Sequence, residues 1–572
     1  MVQVIGSNIL SPLGDNIETN YLAVKEGKSG LVRYSQWRGM PFDITASLFT
    51  KDQEAAFLLD GYTRFESMAI TSIRKALATT MVDVTSPRVV LLLSTTKANV
   101  ACASAKTTLL DMPLPSEAVQ RIAHAIGITT QPLVVCNACI SGLSALITAK
   151  RLLEQGSYDI AIVCGADEQS EFIVSGFQAF HALSPSPCRP FDIERNGLNL
   201  GEAAATLILS SEEATDEAWH LTHAAVRNDA YHISAPSKTG EGAYKAIRAV
   251  MNEAEDTSLA FVNAHGTATL FNDQMESVAL QKAQLQDVPV NAYKGIYGHT
   301  MGAAGVLETI LSMCAADEGL VLPTKGYDTL GVSGHISVVK ETERTDVPRF
   351  LKILSGFGGC NAALLVSKNH ASTANHALPI KVQKTHEVVL IPTQVTADGN
   401  VLDKATDTQS FLTQVYKQFV TDYPKFYKMD QLSRLGFIAS ELLLQAEGET
   451  RFTPCDNRAV ILFNRSSSKV TDAHYLHSIA DKEAFFPSPA LFVYTLPNIV
   501  TGEIAIRNHY HGETALYILP AADTQLQDEV VEATFADKAI DSMITGWINY
   551  DAPDSYVAHL YIYKKVKPSS NH

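Results

Sequence analysis

Short apolar runs of strand length alternate with longer stretches of helical spacing along this chain, and that alternation is what most limits its fold. Val2–Gly6, Arg88–Leu93, Leu133–Cys136 and Asp159–Gly165 are compact and apolar, whereas Phe65–Ala78 and Ile140–Glu154 read as helices. In the second helical stretch Leu143, Leu146, Ile147 and Leu153 form one broad apolar face with several alanines. The same grammar resumes at Leu259–Asn263, Ile336–Val339, Phe350–Leu354 and Ala362–Val366. Continuous apolar strands between helices are strands covered on both faces, so an α/β class with largely buried sheets is expected.

At 572 residues the chain exceeds one ordinary core, and two to four domains are expected. The stretch from Ser367 to Pro379 is polar, rich in small residues and aperiodic, which reads as a linker. Beyond it the sequence echoes its own beginning. Arg88–Lys97 has a counterpart in Arg458–Ser467, Phe65–Arg74 in Tyr427–Gly436, and Asp159–Gly165 in Asp541–Gly546. The shared order of these pairs favours a repeat over chance similarity between two α/β domains.

Composition narrows the function. A net charge of -16 argues against nucleic acid as the main partner, because phosphate binding needs a basic surface, but leaves room for a small basic patch facing an acidic carrier protein. No run of about 20 apolar residues occurs, so no membrane span is expected. No secretion signal is read at the N-terminus. Eight cysteines, mostly in apolar contexts such as those of Cys164 and Cys314, suggest buried thiols in a reducing compartment, hence the cytoplasm.

Three segments carry chemistry. Cys139 follows a strand and opens a helix, where the helix dipole is expected to lower a thiol's pKa and free backbone N–H groups can hold an oxyanion. Cys136 and Cys139 also form C-x-x-C, so a redox dithiol or half a metal site is an alternative; without a second such pair or a nearby histidine pair, no metal is expected. His265 lies in His265-Gly-Thr267-Ala-Thr269, followed by Asn272, Asp273 and Glu276; the threonine hydroxyls suit an amide-bearing ligand. His299 stands between Gly298 and Thr300, with Lys294 before it and Glu308 after it to order the imidazole. Finally, Ser355-Gly-Phe357-Gly-Gly-Cys360-Asn361 reads as a mobile backbone gate beside a cavity, or else as a tight strand-to-strand turn.

In this order the segments resemble the β-ketoacyl-[acyl carrier protein] synthases of the thiolase-like superfamily. The resemblance rests on Ala138-Cys139-Ile-Ser-Gly142, His265 to Glu276, Lys294 to Gly305 and Gly356-Phe357-Gly-Gly. It is supported by Leu183-Ser-Pro, Arg189 to Asp192, Gly201-Glu202-Ala, Asp229 to Pro236 and Ser11-Pro-Leu-Gly14, and covers residues 1 to about 368. It implies a thiolase-like αβαβα fold with two similar halves, at 1–205 and 206–368, a linker at 369–384, and a C-terminal α/β half domain at 385–572. It implies decarboxylative Claisen condensation without a cofactor, in fatty acid or polyene and polyketide elongation. Cys139 would accept an acyl group from an acyl carrier protein, and His265 and His299 would assist decarboxylation of a malonyl carrier protein. The amides of Cys139 and Phe357 would form the oxyanion hole, Thr267 and Thr269 would bind pantetheine, and Lys294 and Glu308 would order the site. Paired histidines point to elongation, since initiating relatives carry asparagine where His299 stands. A homodimer, or a dimer with a related synthase, is implied.

Ser355 and Cys360 depart from the family's usual Phe and Thr, and Ala98–Thr130 matches it poorly. Cys360 keeps a thiolase-type acyltransferase open as an alternative, and a non-catalytic partner of another synthase is a further one. The C-terminal region resembles the first half of the same fold, but where the nucleophile should stand the chain reads Tyr517 to Asp523. No cysteine occurs after Cys455, so a half-length, non-catalytic module is expected there.

Overall fold

A computed structural model describes residues 2–212, 217–254, 256–368, 380–483 and 485–566. Its principal strands fall into three sets of five. The first set is β1 (Val2–Leu10), β2 (Val89–Ser94), β3 (Leu133–Val135), β4 (Ile160–Asp167) and β5 (Ala203–Ser210). The second is β6 (His220–Asn228), β7 (Phe261–Asn263), β8 (Pro289–Asn291), β9 (Arg349–Gly356) and β10 (Cys360–Ser367). The third is β11 (Val382–Ile391), β12 (Arg458–Asn464), β13 (Thr514–Ile518), β14 (Ser542–Ala552) and β15 (Ser555–Lys565).

Each set builds one topology. In the first sheet β1 pairs antiparallel with β5, β5 antiparallel with β4, β4 parallel with β2, and β2 parallel with β3. The second repeats this as β6, β10, β9, β7 and β8. The third repeats it as β11, β15, β14, β12 and β13. Parallel neighbours require crossover helices. These are α1 (Arg64–Leu77), α2 (Pro115–Ile126) and α3 (Ser141–Glu154) in the first set, the last two flanking β3; α4 (Glu171–Ala179) follows β4. The second set has α5 (Glu241–Glu253), α6 (Leu270–Lys282) and α7 (Ala304–Asp317), and the third α8 (Gln431–Glu447), α9 (Ile499–Asn508) and α10 (Thr524–Thr534). Local chemistry marks the starts: Thr63 and Glu66 form a reciprocal capping box on α1, and Asp430 caps α8.

The layers run αβαβα. One apolar core joins α1, α2, α8 and α9 to the outer faces of the first and third sheets. A central core holds α3, α7 and α10. A third core covers the far side of the second sheet with α5 and α6. In the central layer α3 and α7 meet through glycines: a Cβ on Gly142 would stand 2.8 Å from the Gly302 carbonyl, and one on Gly305 2.3 Å from the Leu143 nitrogen.

The expected boundary at 205/206 falls inside β5, whose residues pair with β4 and β1 as far as Ser210. The ladder, not a composition change, ends the first unit there. Of the expected linker 369–384, residues 369–379 lie outside the described residues, and β11 already begins at Val382. The sequence echoes fall on β2 and β12, α1 and α8, and β4 and β14. The helical echo is out of register, since the caps that align are Thr63 and Asp430.

The third unit, here the tail, continues the first sheet. β13 pairs antiparallel with β3, Tyr517 opposite Val135 and Ile518 opposite Val134. Buried ion pairs reinforce the seam: Arg151 with Glu513 at 2.8 Å, Arg227 with Asp537 at 2.6 Å, and Lys97 with Asp472 at 2.7 Å. Lys97 also donates to the Thr495 carbonyl and Ser468 Oγ, so all its charge is satisfied by the tail. Removing one partner of such a pair strands the other charge. Lys97→Met should therefore cost about 3–5 kcal/mol, read as a lowered midpoint in chemical denaturation; an unchanged midpoint would show that this pair does not hold the seam.

Candidate active site

Cys139 stands where β3 turns into α3. Ala138 takes a left-handed φ of 48°, a conformation that costs a non-glycine residue roughly 1–2 kcal/mol. Ser141 Oγ bridges the turn, accepting from Asn137 N at 2.8 Å and donating to the Ala138 carbonyl at 2.6 Å. The sharp turn lifts the thiol out of the sheet and leaves it partly exposed on the wall of a cavity.

The two histidines come from the second unit. After β7, the N–H groups of His265 and Gly266 donate to the two oxygens of Glu276 on α6, at 2.7 and 2.8 Å. Ala268 N–H donates to Asp273 at 3.1 Å. His299 follows the helical turn Lys294–Tyr297, and its Nδ1 accepts from Met301 N–H at 3.1 Å. That bond assigns the proton to Nε2, which is buried and has no protein partner among the described residues. The two rings meet edge to face, 5.1 Å between centroids and 81° between planes. Cys139 Sγ and one ring nitrogen of each histidine all lie within 4.8 Å of one another. Thiolate and imidazole are zinc-ligand types as well, but a bound ion would occupy the sulfur lone pair that a nucleophile needs.

Charge below the histidines is arranged around Glu308 on α7. One oxygen takes Lys294 Nζ at 2.8 Å, the other Lys352 Nζ at 2.5 Å, all three groups being buried. Lys294 also donates to the His265 carbonyl at 2.7 Å, and Lys352 to the Ala264 carbonyl at 3.3 Å. Burial, then these ammonium groups, hold both imidazoles well below their ordinary pKa, so both are neutral near pH 7. Burial also lowers Lys352 to about 8.

The thiol behaves otherwise than the helix start suggested. Burial pushes Cys139 up to about 11, against the opposing pull of Lys294 and, more weakly, of the backbone N–H groups of Phe357 and of Cys139 itself. Desolvation of the anion outweighs the favourable donors. The resting group is a thiol, and it needs a base.

The cavity, about 300 Å³, is lined by Cys139, His265, His299, Thr267, Thr269 and Phe357, with Phe177, Phe180 and Phe271 supplying apolar walls. The hydroxyls of Thr267 and Thr269 lie 2.9 Å apart. The segment expected as a mobile gate is the tight turn between β9 and β10. Gly358 N–H donates to the Ile233 carbonyl at 2.7 Å, Asn228 Nδ2 donates to the Gly358 carbonyl at 2.9 Å, and Asp229 N–H to the Gly359 carbonyl at 2.7 Å. Cys360 is buried beneath that turn and donates to the Phe357 carbonyl at 3.3 Å. Cys136 is likewise buried, with its thiol on the Thr96 carbonyl at 3.5 Å, and all eight cysteines are free. The C-x-x-C spacing thus places the two sulfurs in different surroundings.

Lys352 and Asp167 escaped the sequence reading. Lys352 interrupts the apolar run Phe350–Leu354, and a lone lysine inside a doubly covered strand was the available signal. Asp167, at the end of β4, accepts from Gly302 N–H at 2.7 Å and Thr95 Oγ1 at 2.7 Å, and so braces the turn after His299.

The chain matches known proteins in two contiguous parts. Residues 91–215 match the family described as beta-ketoacyl synthase, N-terminal domain, and residues 220–328 the corresponding C-terminal domain. The 3-oxoacyl-[acyl-carrier-protein] synthase 2 of Staphylococcus aureus is 26% identical over 411 residues, covering 65% of this chain and 99% of that protein. The granaticin polyketide putative beta-ketoacyl synthase 1 of Streptomyces violaceoruber is 31% identical over 278 residues, 46% of this chain and 66% of that one. Among solved structures, the PfaC keto synthase–chain length factor superposes with a TM-score of 0.78 at 12% identity, over 99% of this chain and 78% of that chain, a likeness of fold. With two halves of thiolase-like topology joined at a cysteine and two histidines, the chain belongs to the β-ketoacyl synthase family of condensing acyltransferases.

Proposed function

We propose that this protein elongates an acyl chain carried as a thioester on an acyl carrier protein, using Cys139, His265 and His299 as its reacting groups. The observation that carries the reading is the convergence of one thiol and two neutral imidazoles within 4.8 Å on one cavity wall. The lone pair at Nδ1 of His299 is taken by Met301 N–H, so this ring can only donate, at Nε2. His265 has an unpartnered Nδ1, and is the ring able to accept the thiol proton. The sulfur then attacks the acyl thioester, and the carrier's pantetheine leaves as a thiol with that proton.

Malonyl carrier protein binds next, its pantetheine lying along Thr267 and Thr269. Loss of carbon dioxide leaves an enolate whose oxygen is steadied by N–H donors of His265 and His299. The enolate carbon attacks the acyl-Cys139 carbonyl, and the oxyanion forms at the N–H groups of Phe357 and Cys139. Its collapse expels the Cys139 thiolate, which takes a proton from solvent water to regenerate the thiol, and releases the β-ketoacyl carrier protein. Lys294 and Glu308 keep the His265 carbonyl and the α7 turn in register throughout. No cofactor enters this sequence of steps.

The tail takes the place of half a partner synthase, without a nucleophile of its own. Its Phe492 fills the space that Gly176 leaves open on α4 and touches Phe177 and Phe180, the apolar wall of the cavity. That contact supports a role in limiting acyl length. Eight free cysteines support a cytoplasmic setting, and among the described residues no helix is long and apolar enough to cross a membrane.

Cys139→Ala should abolish condensation, while His265→Ala and His299→Ala should lower malonyl decarboxylation by about 100-fold or more, measured as carbon dioxide release; full condensation by Cys139→Ala would refute the reading. Because both imidazoles titrate well below 6.5, decarboxylation should stay flat as the pH falls from 7.5 to 6.5, and a loss centred near 6.5 would contradict their assignment. Phe492→Leu should lengthen the products seen by mass spectrometry, and an unchanged product profile would remove the tail from length control.

A further inference from the structure

The tail reaches the reacting centre at one more place. Gly358 and Gly359, in the turn after Phe357, take φ values of 91° and 75°, conformations in which glycine offers no side chain to hold the backbone. The carbonyl of Phe357 accepts from two sides: the Cys360 thiol, a weak donor, and Asn498 Nδ2 of the tail at 2.9 Å. Behind Asn498, α9 meets the turn backbone to backbone, since a Cβ on Gly502 would stand 2.6 Å from the Gly358 carbonyl. Asn498 is buried, and its Oδ1 has no hydrogen-bond partner among the described residues. A side chain kept only for packing would be better served by an apolar group, because a half-satisfied amide carries a desolvation cost. The bond to Phe357 is what this amide makes in return.

We infer that Asn498 is a positioning residue for condensation: by holding the Phe357 carbonyl it fixes the turn that aims the Phe357 N–H at Cys139. This rests on the synthase reading above, in which that N–H receives the oxyanion. The tail also holds the other side of the turn: Asn228, whose amide bonds the Gly358 carbonyl, donates to Thr514 Oγ1 at 2.9 Å. Asn137, two residues before the nucleophile, donates to the Thr514 carbonyl at 3.1 Å. The synthase site is thus completed by a module that has no site of its own.

Asn498→Asp places an acceptor against the carbonyl, and Asn498→Leu keeps the bulk and removes the bond. In the full-length chain either should lower kcat by about 10-fold or more, with KM for the acyl carrier protein nearly unchanged. Displacing the Phe357 N–H, which lowers the Cys139 pKa, should also move the pH midpoint for iodoacetamide alkylation of Cys139 upward, a shift that a merely structural defect would not produce. Wild-type kcat and alkylation profile in either folded variant would overturn the inference. If Asn498→Asp fails to fold, Asn498→Leu decides alone. Retained condensation in Cys139→Ala would instead sink the synthase reading, whereas an inactive Cys139→Ala beside a wild-type Asn498→Leu sinks only the positioning role.

Discussion

The antiparallel pairing of β3 with β13 is the constraint on which the rest depends. β3 is the edge of the first sheet and the strand that delivers Cys139. An open edge exposes unpaired N–H and C=O groups, and here the same chain covers it. The pairing joins two sheets of one topology and brings Thr514, Phe492 and Asn498 of the tail against Asn137 before Cys139, the apolar wall and the β9–β10 turn. On the proposed reading, a chain with one nucleophile uses one and a half copies of its fold, the extra half supplying a surface.

Burial then decides the chemistry. Desolvation holds His265, His299 and the partly buried Cys139 in their neutral forms, and two ammonium groups around Glu308 reinforce this for the imidazoles. A neutral thiol beside a neutral imidazole is a proton-transfer pair. A second imidazole whose Nδ1 is already engaged is a fixed donor. In the proposed mechanism, one backbone N–H, from Met301, separates the two roles.

Much of this was legible in the sequence because the signals are local. Apolar runs such as Arg88–Leu93 mark strands buried on both faces, and the His265 and His299 loops announce themselves by glycine and threonine neighbours. What stayed hidden depends on long-range contact. The Cys139 thiol was expected to be acidic from its helix start, a local rule, but desolvation by residues far along the chain prevailed. The glycines around Phe357 suit a gate or a tight turn alike; that Ile233, Asn228 and Asn498 tie this turn down by hydrogen bonds depends on residues far along the chain. Lys352 was visible as a charge in an apolar strand, yet its partner Glu308 lies 44 residues away.

The most direct measurement is peptide mapping by mass spectrometry after incubation of the full-length chain with an acylated carrier protein and no malonyl donor. One acyl group per chain is expected, on the peptide containing Cys139 and on that residue. The added mass should disappear when malonyl carrier protein is supplied. An acyl group on Cys360 or Cys136, or none on any cysteine while condensation proceeds, would contradict it.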